Sequence, residues 1–189
     1  MLHLLGLLHD TPPVPVLRAY LHAPCRGCES AEAIVDLLRR GVRVLLSGTA
    51  SDSHTWNLVY LQLVLEEWGH RVTNLGPCVP SELLAALCRE YAPEVVVLSS
   101  VNGHGYRDGL DAIARIRALH GRAGAVPVVI GGQLGLAGGP DPRCAARLRA
   151  AGCTRVFDDG DVAALRVFVA ALAHREDTLS AVSAAEEAA

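Results

Sequence analysis

An aspartate and a histidine stand two residues apart in the segment 48–57, which reads GTASDSHTWN. If the Asp52 carboxylate accepts one ring N–H of His54, it fixes the tautomer and makes the other ring nitrogen a better metal ligand. No further His, Cys or Asp lies close enough in sequence to complete a zinc site. One oriented histidine suits a metal whose other positions are filled by a macrocycle. By spacing alone, a second interpretation is equally well supported. In it, Asp52 caps the next helix and His54 is a solvated first-turn residue.

Other residues capable of chemistry have weaker patterns. Cys25 and Cys28 form a C-x-x-C, which is compatible with a redox pair or half a metal site, but no second pair accompanies it. His104 follows a predicted strand, where it either contacts a ligand or lies exposed in a loop. Trp56 and Trp68 have helical spacing and are interpreted as packing residues. The irregular spacing of the six cysteines favours a reduced, cytoplasmic protein.

Composition excludes several classes of function. The basic residues number 17 and all are arginines, so Schiff-base chemistry and P-loop nucleotide binding lack the lysine they need. A net charge of −3 and an aromatic content of 4% predict no nucleic-acid partner. The apolar stretch 1–10 has no basic flank and is too short to span a bilayer, so neither a signal peptide nor a membrane partner is expected.

The elements that must position these residues repeat along the chain. Five short apolar runs, rich in β-branched residues, are typical of parallel strands buried on both faces; they lie at 42–48, 71–76, 94–100, 126–132 and 154–157. Helical periodicity follows each run, at about 56–68, 80–91, 106–120, 142–151 and 161–174. The sequence therefore predicts an α/β fold with a doubly wound, five-stranded parallel sheet of flavodoxin-like (Rossmann-like) order 2-1-3-4-5.

Three segments are predicted along the chain. Residues 1–41 form an N-terminal extension with a proline-rich link and a helix from about Ser30 to Arg40. Residues 42–175 form the repeated β-α domain. Residues 176–189 are rich in Ala and Glu, lack an apolar stripe and are interpreted as a flexible tail.

Small residues end three of the predicted strands. The pairs are SG at 47–48, SS at 99–100 and GG at 131–132. Ligands of open α/β sheets bind at the carboxyl ends of the strands, where small residues leave room for a thick ligand. Glycine after a strand is also common in turns, so this feature alone does not specify a ligand.

In combination, these motifs resemble a known family. The loop DSHTWN at 52–57 resembles the D-x-H-x-x-G loop of cobalamin-binding (B12-binding) domains, and the likeness continues through VTNLG at 72–76, PSE at 80–82, SSVNGHG at 99–105 and GG at 131–132. It covers about residues 41–172 and is greatest for the small subunit of glutamate (methylaspartate) mutase. Asn57 stands where the family usually has glycine. Because Asn tolerates a left-handed backbone better than most residues, binding is compatible with a changed loop.

The resemblance implies a site for cobalamin, with adenosylcobalamin as the expected form. Such domains bind the cofactor base-off, so His54 is expected on cobalt as the lower axial ligand, with Asp52 bonded to its far nitrogen. The nucleotide tail is expected in a slot between the sheet and its neighbouring helices. The expected cofactor-binding residues are Ser51, Asp52, Ser53, His54, Thr55, Asn57, Ser99, Val101, Gly103, Gly131 and Gly132.

The resemblance also implies an activity. The chain is expected to be the cofactor-binding subunit of an adenosylcobalamin-dependent carbon-skeleton mutase, an isomerase, acting on an amino acid such as glutamate. A barrel-type large subunit is the expected partner, and no activity is expected without it. The alternatives are a corrinoid carrier for methyl transfer, a non-catalytic cobalamin sensor or chaperone, and a flavodoxin-like domain that binds no corrin. The short extension argues against the carrier, and the absence of a visible basic region argues against a DNA-binding sensor.

Overall fold

The computed structural model describes residues 41–136 and 139–173. The predicted helix at 30–40, the pair Cys25 and Cys28, and the predicted tail at 176–189 lie outside the described residues. The division of the chain into extension, domain and tail therefore stays a prediction.

Strands and helices alternate through the described residues. The strands are β1 (Arg43–Gly48), β2 (Arg71–Asn74), β3 (Val95–Ser100), β4 (Val128–Gly132) and β5 (Arg155–Phe157). The helices are α1 (Trp56–Glu67), α2 (Ser81–Tyr91), α3 (Gly105–Arg117), α4 (Arg122–Ala125), α5 (Pro142–Ala150) and α6 (162–173). Each strand and helix predicted between residues 42 and 175 is present, with shifts of a few residues at the ends.

The five strands form one parallel sheet in the order β2-β1-β3-β4-β5. Strand β1 pairs with β2 on one side and with β3 on the other, so that Val44 lies opposite Val72 and Val95. The predicted doubly wound, flavodoxin-like fold is confirmed. Because the chain leaves β1 and β3 in opposite directions along the sheet, a crevice opens between their carboxyl ends.

Alternate side chains of each strand enter two separate cores. Leu45, Val96, Leu98, Val128 and Ile130 pack with helices α2, α3 and α5 on one face. The other face carries Val44, Leu46, Val95, Val97 and Val129, which pack with α1 and α6. Burial on both faces explains why the strands appear in the sequence as nearly continuous apolar runs.

The helix ends show where local sequence sets the fold. Helix α2 begins after Pro80 and ends at Tyr91. Its C-cap residue Ala92 has a left-handed φ of +44° and stands just before Pro93. The Asp141 side chain caps α5 by accepting the N–H groups of Arg143 and Cys144. Helix α3 ends three residues earlier than predicted, and the unpredicted short helix α4 follows Gly121, whose φ is +65°.

The two tryptophans differ in environment. Trp68 packs partly buried against α6, with the Arg166 guanidinium 5.5 Å from its ring centroid. Trp56 is 83% exposed at the start of α1, so its interpretation as a packing residue is wrong. Its helical spacing follows the outer face of α1, where Val59, Tyr60 and Leu63 are exposed as well.

The glycine pair at the end of β4 is required by the sheet itself. A Cβ on Gly131 would lie 2.9 Å from the carbonyl oxygen of Phe157 in β5. A Cβ on Gly132, whose φ is +97°, would lie 2.2 Å from the carbonyl oxygen of Ser100 in β3. Glycine is therefore needed here to let neighbouring strands approach, whether or not a ligand lies nearby.

Candidate functional site

The candidate site lies at the crevice between the carboxyl ends of β1 and β3. The loop after β1 spans residues 49–55. At its start, the N–H of Gly48 donates to the Gly76 carbonyl after β2. The N–H of Cys78 donates to the Asp52 carbonyl at 2.9 Å, which ties this loop to the segment after β2.

Asp52 and His54 form the predicted carboxylate–imidazole pair. The Asp52 side chain is 1% exposed, and its Oδ1 lies 2.7 Å from Nδ1 of His54. The His54 side chain is 57% exposed, and among the described residues its Nε2 has no hydrogen-bond partner. One ring nitrogen is thus fixed by a buried carboxylate, while the other is available to a metal from outside.

The Asp52 carboxylate also holds two loops together. Its Oδ1 accepts the N–H of His54 at 3.0 Å, and its Oδ2 accepts the N–H groups of Val101 at 2.5 Å and Asn102 at 3.3 Å, beyond the end of β3. Helix α1 has Thr55 as its N-cap residue, with no side-chain cap. The alternative in which Asp52 caps that helix is therefore wrong.

Burial and hydrogen bonding act in opposite directions on this carboxyl group. Burial alone raises the pKa of Asp52, but the N–H groups of His54 and Val101, together with the His54 ring, outweigh it and lower the pKa below its ordinary value of 3.8. The charged form is therefore the one that the folded loop stabilises.

A second set of contacts braces the loop, and sequence reasoning missed its central residue. Asp108, in the first turn of α3, accepts hydrogen bonds from the N–H and the hydroxyl of Ser51 at 2.9 and 2.6 Å. The Asn102 amide donates to the Ser51 carbonyl at 2.9 Å. These contacts join segments more than fifty residues apart, so no local pattern in the sequence marks Asp108.

An apolar slot opens beside the histidine loop, between the sheet and the helix pair α1 and α6. Its volume is about 620 Å³ when the solvent-open mouth is included. The walls contain five of the predicted cofactor residues, Asn57, Ser99, Val101, Gly131 and Gly132. Sequence reasoning missed the remaining lining residues, which are Tyr60, Leu61, Val97, Leu98, Val129, Ile130, Phe157, Gly160, Asp161, Val162 and Leu165.

One polar pair lies in the wall of this slot. The amide Nδ2 of Asn57 donates to the Ser99 hydroxyl oxygen at 2.8 Å, whereas the amide Oδ1 of Asn57 is buried with no hydrogen-bond partner. Asn57 is helical, being the second residue of α1, and its φ is not positive. The left-handed backbone considered for this position is therefore not used.

Besides Ser51, three of the predicted cofactor-binding residues and the candidate His104 lie outside both the Asp52–His54 pair and the slot. Ser53 and Thr55 are exposed in the loop. Gly103 is buried in the β3–α3 loop, where its N–H donates to the Gln133 carbonyl. His104 is exposed at the start of α3.

Two further features of the described residues bear on the predictions. These residues contain no group of three or more His, Cys, Asp or Glu side chains arranged to hold a metal ion. In the same ranges, no helix is both long and apolar enough to cross a bilayer.

The chain is similar to a known domain family, to a curated protein and to solved structures. The sequence pattern of the B12-binding domain family matches residues 42–168. The HTH-type transcriptional repressor CarA of Myxococcus xanthus is 35% identical over 92 residues, which are 49% of this chain and 31% of the repressor. The chain therefore spans about a third of the length of this curated relative.

Among solved structures, a cobalamin-binding protein from Desulfitobacterium hafniense DCB-2 aligns with a TM-score of 0.52 at 21% identity, covering 62% of this chain and 53% of that one. The monomethylamine corrinoid protein of Methanosarcina barkeri aligns with a TM-score of 0.49 at 17% identity, over 74% of this chain and 63% of that one. The first of these shows a shared fold.

We expect Asp52→Asn to destabilise the cofactor-free protein by about 2 kcal/mol at pH 7, because charge-assisted hydrogen bonds in a buried site are lost. The folded-state pKa is lowered, so the carboxylate stabilises the fold above the unfolded pKa, and this contribution disappears as the pH falls through the folded-state value. Urea unfolding from pH 7 to pH 3 measures both effects.

The difference in the free energy of unfolding between wild type and Asp52→Asn should therefore shrink below about pH 4. Asp111→Asn, a change at an exposed carboxylate on α3, is the control and should alter stability by less than about 0.5 kcal/mol. An unchanged stability in Asp52→Asn would contradict the role given to the carboxylate.

Proposed function

This chain belongs to the B12-binding domain family, and from that premise we propose that it binds cobalamin base-off, with His54 on cobalt and the nucleotide tail in the apolar slot. The Asp52–His54 contact carries the proposal, because it leaves a single, oriented imidazole nitrogen available at the crevice. A macrocycle supplies the equatorial ligands that the described residues lack.

The donor set fits cobalt in a corrin. Asp52 holds Nδ1, so the neutral tautomer presents Nε2 as a lone-pair donor. The carboxylate also raises the basicity of the ring and fixes its plane, as such partners do for metal-bound histidines. Asp108 and Asn102 hold the loop on which both side chains lie.

The slot fits an aromatic nucleotide tail. Its walls are mainly Val, Leu, Ile and Phe side chains, with glycine backbone at the end of β4. Burying a flat heteroaromatic base there removes apolar surface from water. Tail binding and histidine ligation support each other, since a base held in the slot cannot also bind cobalt.

Within this function, we propose the role of a small subunit of an adenosylcobalamin-dependent carbon-skeleton mutase acting on an amino acid. The cofactor supplies radical chemistry through homolysis of its cobalt–carbon bond. This chain's residues bind the lower face and the tail, orient the cofactor and keep water from the buried base. The described part of the chain offers no layer to cover the cofactor's upper face. A barrel-type large subunit is therefore the proposed partner.

The outer face of α1 supports such a partner. Trp56, Val59, Tyr60 and Leu63 recur at spacings of three and four residues and are all exposed, beginning two residues after His54. An apolar stripe of this kind beside a binding site is typical of a surface that meets another protein.

A second candidate function is regulatory. The repressor from Myxococcus xanthus is 35% identical over 92 residues, and this favours a cobalamin-responsive module that acts with a DNA-binding part. The expectation of no nucleic-acid partner consequently has no support. The regulatory candidate requires a cobalamin-dependent change in self-association or DNA binding, which size-exclusion and gel-shift measurements with and without the cofactor would detect.

We expect cob(II)alamin bound to the protein to show nitrogen hyperfine splitting from a protein atom. Labelling only the protein with ¹⁵N should convert the triplet splitting into a doublet in the EPR spectrum. His54→Ala should abolish the protein-derived splitting without unfolding, because His54 lies on an exposed loop. Asp52→Asn should weaken binding by about 10–100-fold, since it removes the partner that orients the ring.

His104→Ala is the matched control, because His104 is an exposed histidine on the neighbouring loop. It should keep both the splitting and the affinity. Splitting that stays a triplet in labelled protein would assign the ligand to the cofactor's own base and exclude the base-off proposal.

We expect Val162→Trp to block the slot. Val162 is a partly buried lining residue at the start of α6, so a larger ring there occupies the tail's space. Cobalamin affinity should fall by about 5- to 150-fold, because overpacking of a filled site costs about 1–3 kcal/mol. Cobinamide, which lacks the nucleotide tail, should bind as before.

Val167→Trp is the control for this experiment, because Val167 lies on the same helix, is 69% exposed and does not line the slot. It should leave both affinities unchanged. Equal cobalamin binding by the two variants would show that the tail lies elsewhere.

We expect the isolated chain to bind cobalamin but to turn over no amino acid. A radical intermediate must be enclosed, and the described sheet offers only the lower side of that enclosure. Mixing the chain with a barrel-type large subunit and adenosylcobalamin under anaerobic conditions should create the activity. Robust turnover by the isolated chain would exclude the subunit role.

A further inference from the structure

Ser51, the residue just before Asp52, has a protein partner at every polar group. Its N–H and its hydroxyl donate to one oxygen of Asp108, at 2.9 and 2.6 Å. Its carbonyl accepts the amide of Asn102 at 2.9 Å, and that amide also lies 3.2 Å from the Ser51 hydroxyl oxygen. Ser51 is exposed, so water could satisfy all three groups. Protein partners at each group therefore indicate that the loop is positioned, since none of these groups needs a partner to avoid burial.

The amide of Asn102 has a fixed orientation. Its Oδ1 accepts the N–H of His104 at 2.9 Å and the Ser100 hydroxyl at 3.1 Å. The NH₂ group must then face the Ser51 carbonyl, because the amide oxygen is already occupied on its other side.

The second partner, Asp108, lies in the first turn of α3, which is seated against the sheet at two glycines. A Cβ on Gly105 would lie 2.7 Å from the Cβ of Ser100, and a Cβ on Gly109 would lie 2.5 Å from Cδ1 of Ile130. Glycine at both positions lets the helix approach the ends of β3 and β4. Asp108 lies between the two glycines in the chain, so its backbone position is set by the packing of α3 on the sheet.

Asp108, Ser51 and Asn102 together form a latch that is separate from the slot. None of the three lines that cavity, whose walls come from the strands and from α1 and α6. The latch instead joins α3 to the loops after β1 and β3. A change in the latch should therefore act on the loop that carries His54 and leave the cavity intact.

We propose that Asp108, acting through Ser51, is a positioning residue for cobalt ligation by His54. This inference rests on the proposed function, because it concerns the histidine that binds cobalt there. The latch fixes the residue before Asp52, and Asp52 in turn holds Nδ1 of His54. Without the latch the loop gains freedom, so that Nε2 reaches cobalt in only part of the bound population while the slot still holds the tail.

The decisive variant is Asp108→Ala, which removes both acceptor contacts to Ser51. Asp108→Asn is the matched variant, because it also removes the negative charge from the first turn of α3 but keeps an acceptor oxygen. Asp111→Ala changes an exposed carboxylate on the same helix, paired only with Arg115 in the described residues, and is the control. Each ¹⁵N-labelled protein is loaded with cob(II)alamin, and EPR measures the fraction of bound cobalt that carries a protein nitrogen.

We expect Asp108→Ala to lower that fraction below about half and to lower cobalamin affinity by about tenfold, the smaller end of the loss caused by removing a group that orients a metal ligand. Asp108→Asn and Asp111→Ala should keep the wild-type fraction, with affinities within about twofold of the wild type.

Amide hydrogen exchange of the cofactor-free proteins tests the latch itself. The Ser51 N–H should exchange at least about tenfold faster in Asp108→Ala than in the wild type, because its acceptor is gone. Asp108→Asn should keep the wild-type rate. Urea unfolding of each variant checks that the domain remains folded, so that a loss of ligation is not a loss of fold.

The outcomes separate this inference from the proposed function. If Asp108→Ala keeps the wild-type fraction of nitrogen-bound cobalt, even with faster exchange at Ser51, the inference is wrong. It is also wrong if Asp108→Asn loses as much ligation as Asp108→Ala, because the charge on α3 would then be the cause. If the wild type itself shows no protein nitrogen on cobalt, the proposed function fails and this inference fails with it.

Discussion

The carboxylate of Asp52 is buried where two loops meet, and it accepts hydrogen bonds from the His54 ring N–H and from three backbone N–H groups. A buried charge is costly unless it is paired or fully hydrogen-bonded, so the three backbone donors stabilise the folded loop and the ring of His54 adds to them. The same contacts that satisfy the charge also fix the histidine. Positioning of the histidine and stability of the crevice are therefore one property of this protein.

In the sheet beneath the crevice, neighbouring strands approach one another closely at the end of β4. Two helices pack on one face of the sheet and leave the slot between themselves and the strands, while the glycine pair ending β4 lets its neighbours come near. From the sequence alone, these glycines are assigned to the path of a ligand. The contacts to Phe157 and Ser100 show that the strands require them first, and that the slot forms beside glycines already needed for the fold.

Much of the fold could be predicted because its signals are local. Near-continuous β-branched runs indicate strands buried on both faces, and Pro80, Gly69 and Asp141 mark helix ends within a few residues. The Asp52–His54 pair could be predicted for the same reason, since its members are two residues apart. Asp108 and the α6 side of the slot could not, because they reach the site only through the packing of distant segments. The interpretation of Trp56 as a packing residue fails because helical spacing does not say which face of a helix points outward.

The separation in sequence of the Asp52 contacts has a consequence for folding. Val101 and Asn102 are 49 and 50 residues away from Asp52, with β2 and two helices in between. Parallel strands joined by such long connections form slowly, because the loop must close before the contacts repay its entropy. The crevice therefore exists only in chains that have already paired β1 with β3, and a partly folded chain presents no oriented histidine. A cofactor that binds there acts on the native state alone and stabilises it by mass action, by about 2.7 kcal/mol at a hundredfold excess over Kd. Supply of the cofactor thus sets how long each copy of the protein survives unfolding and proteolysis.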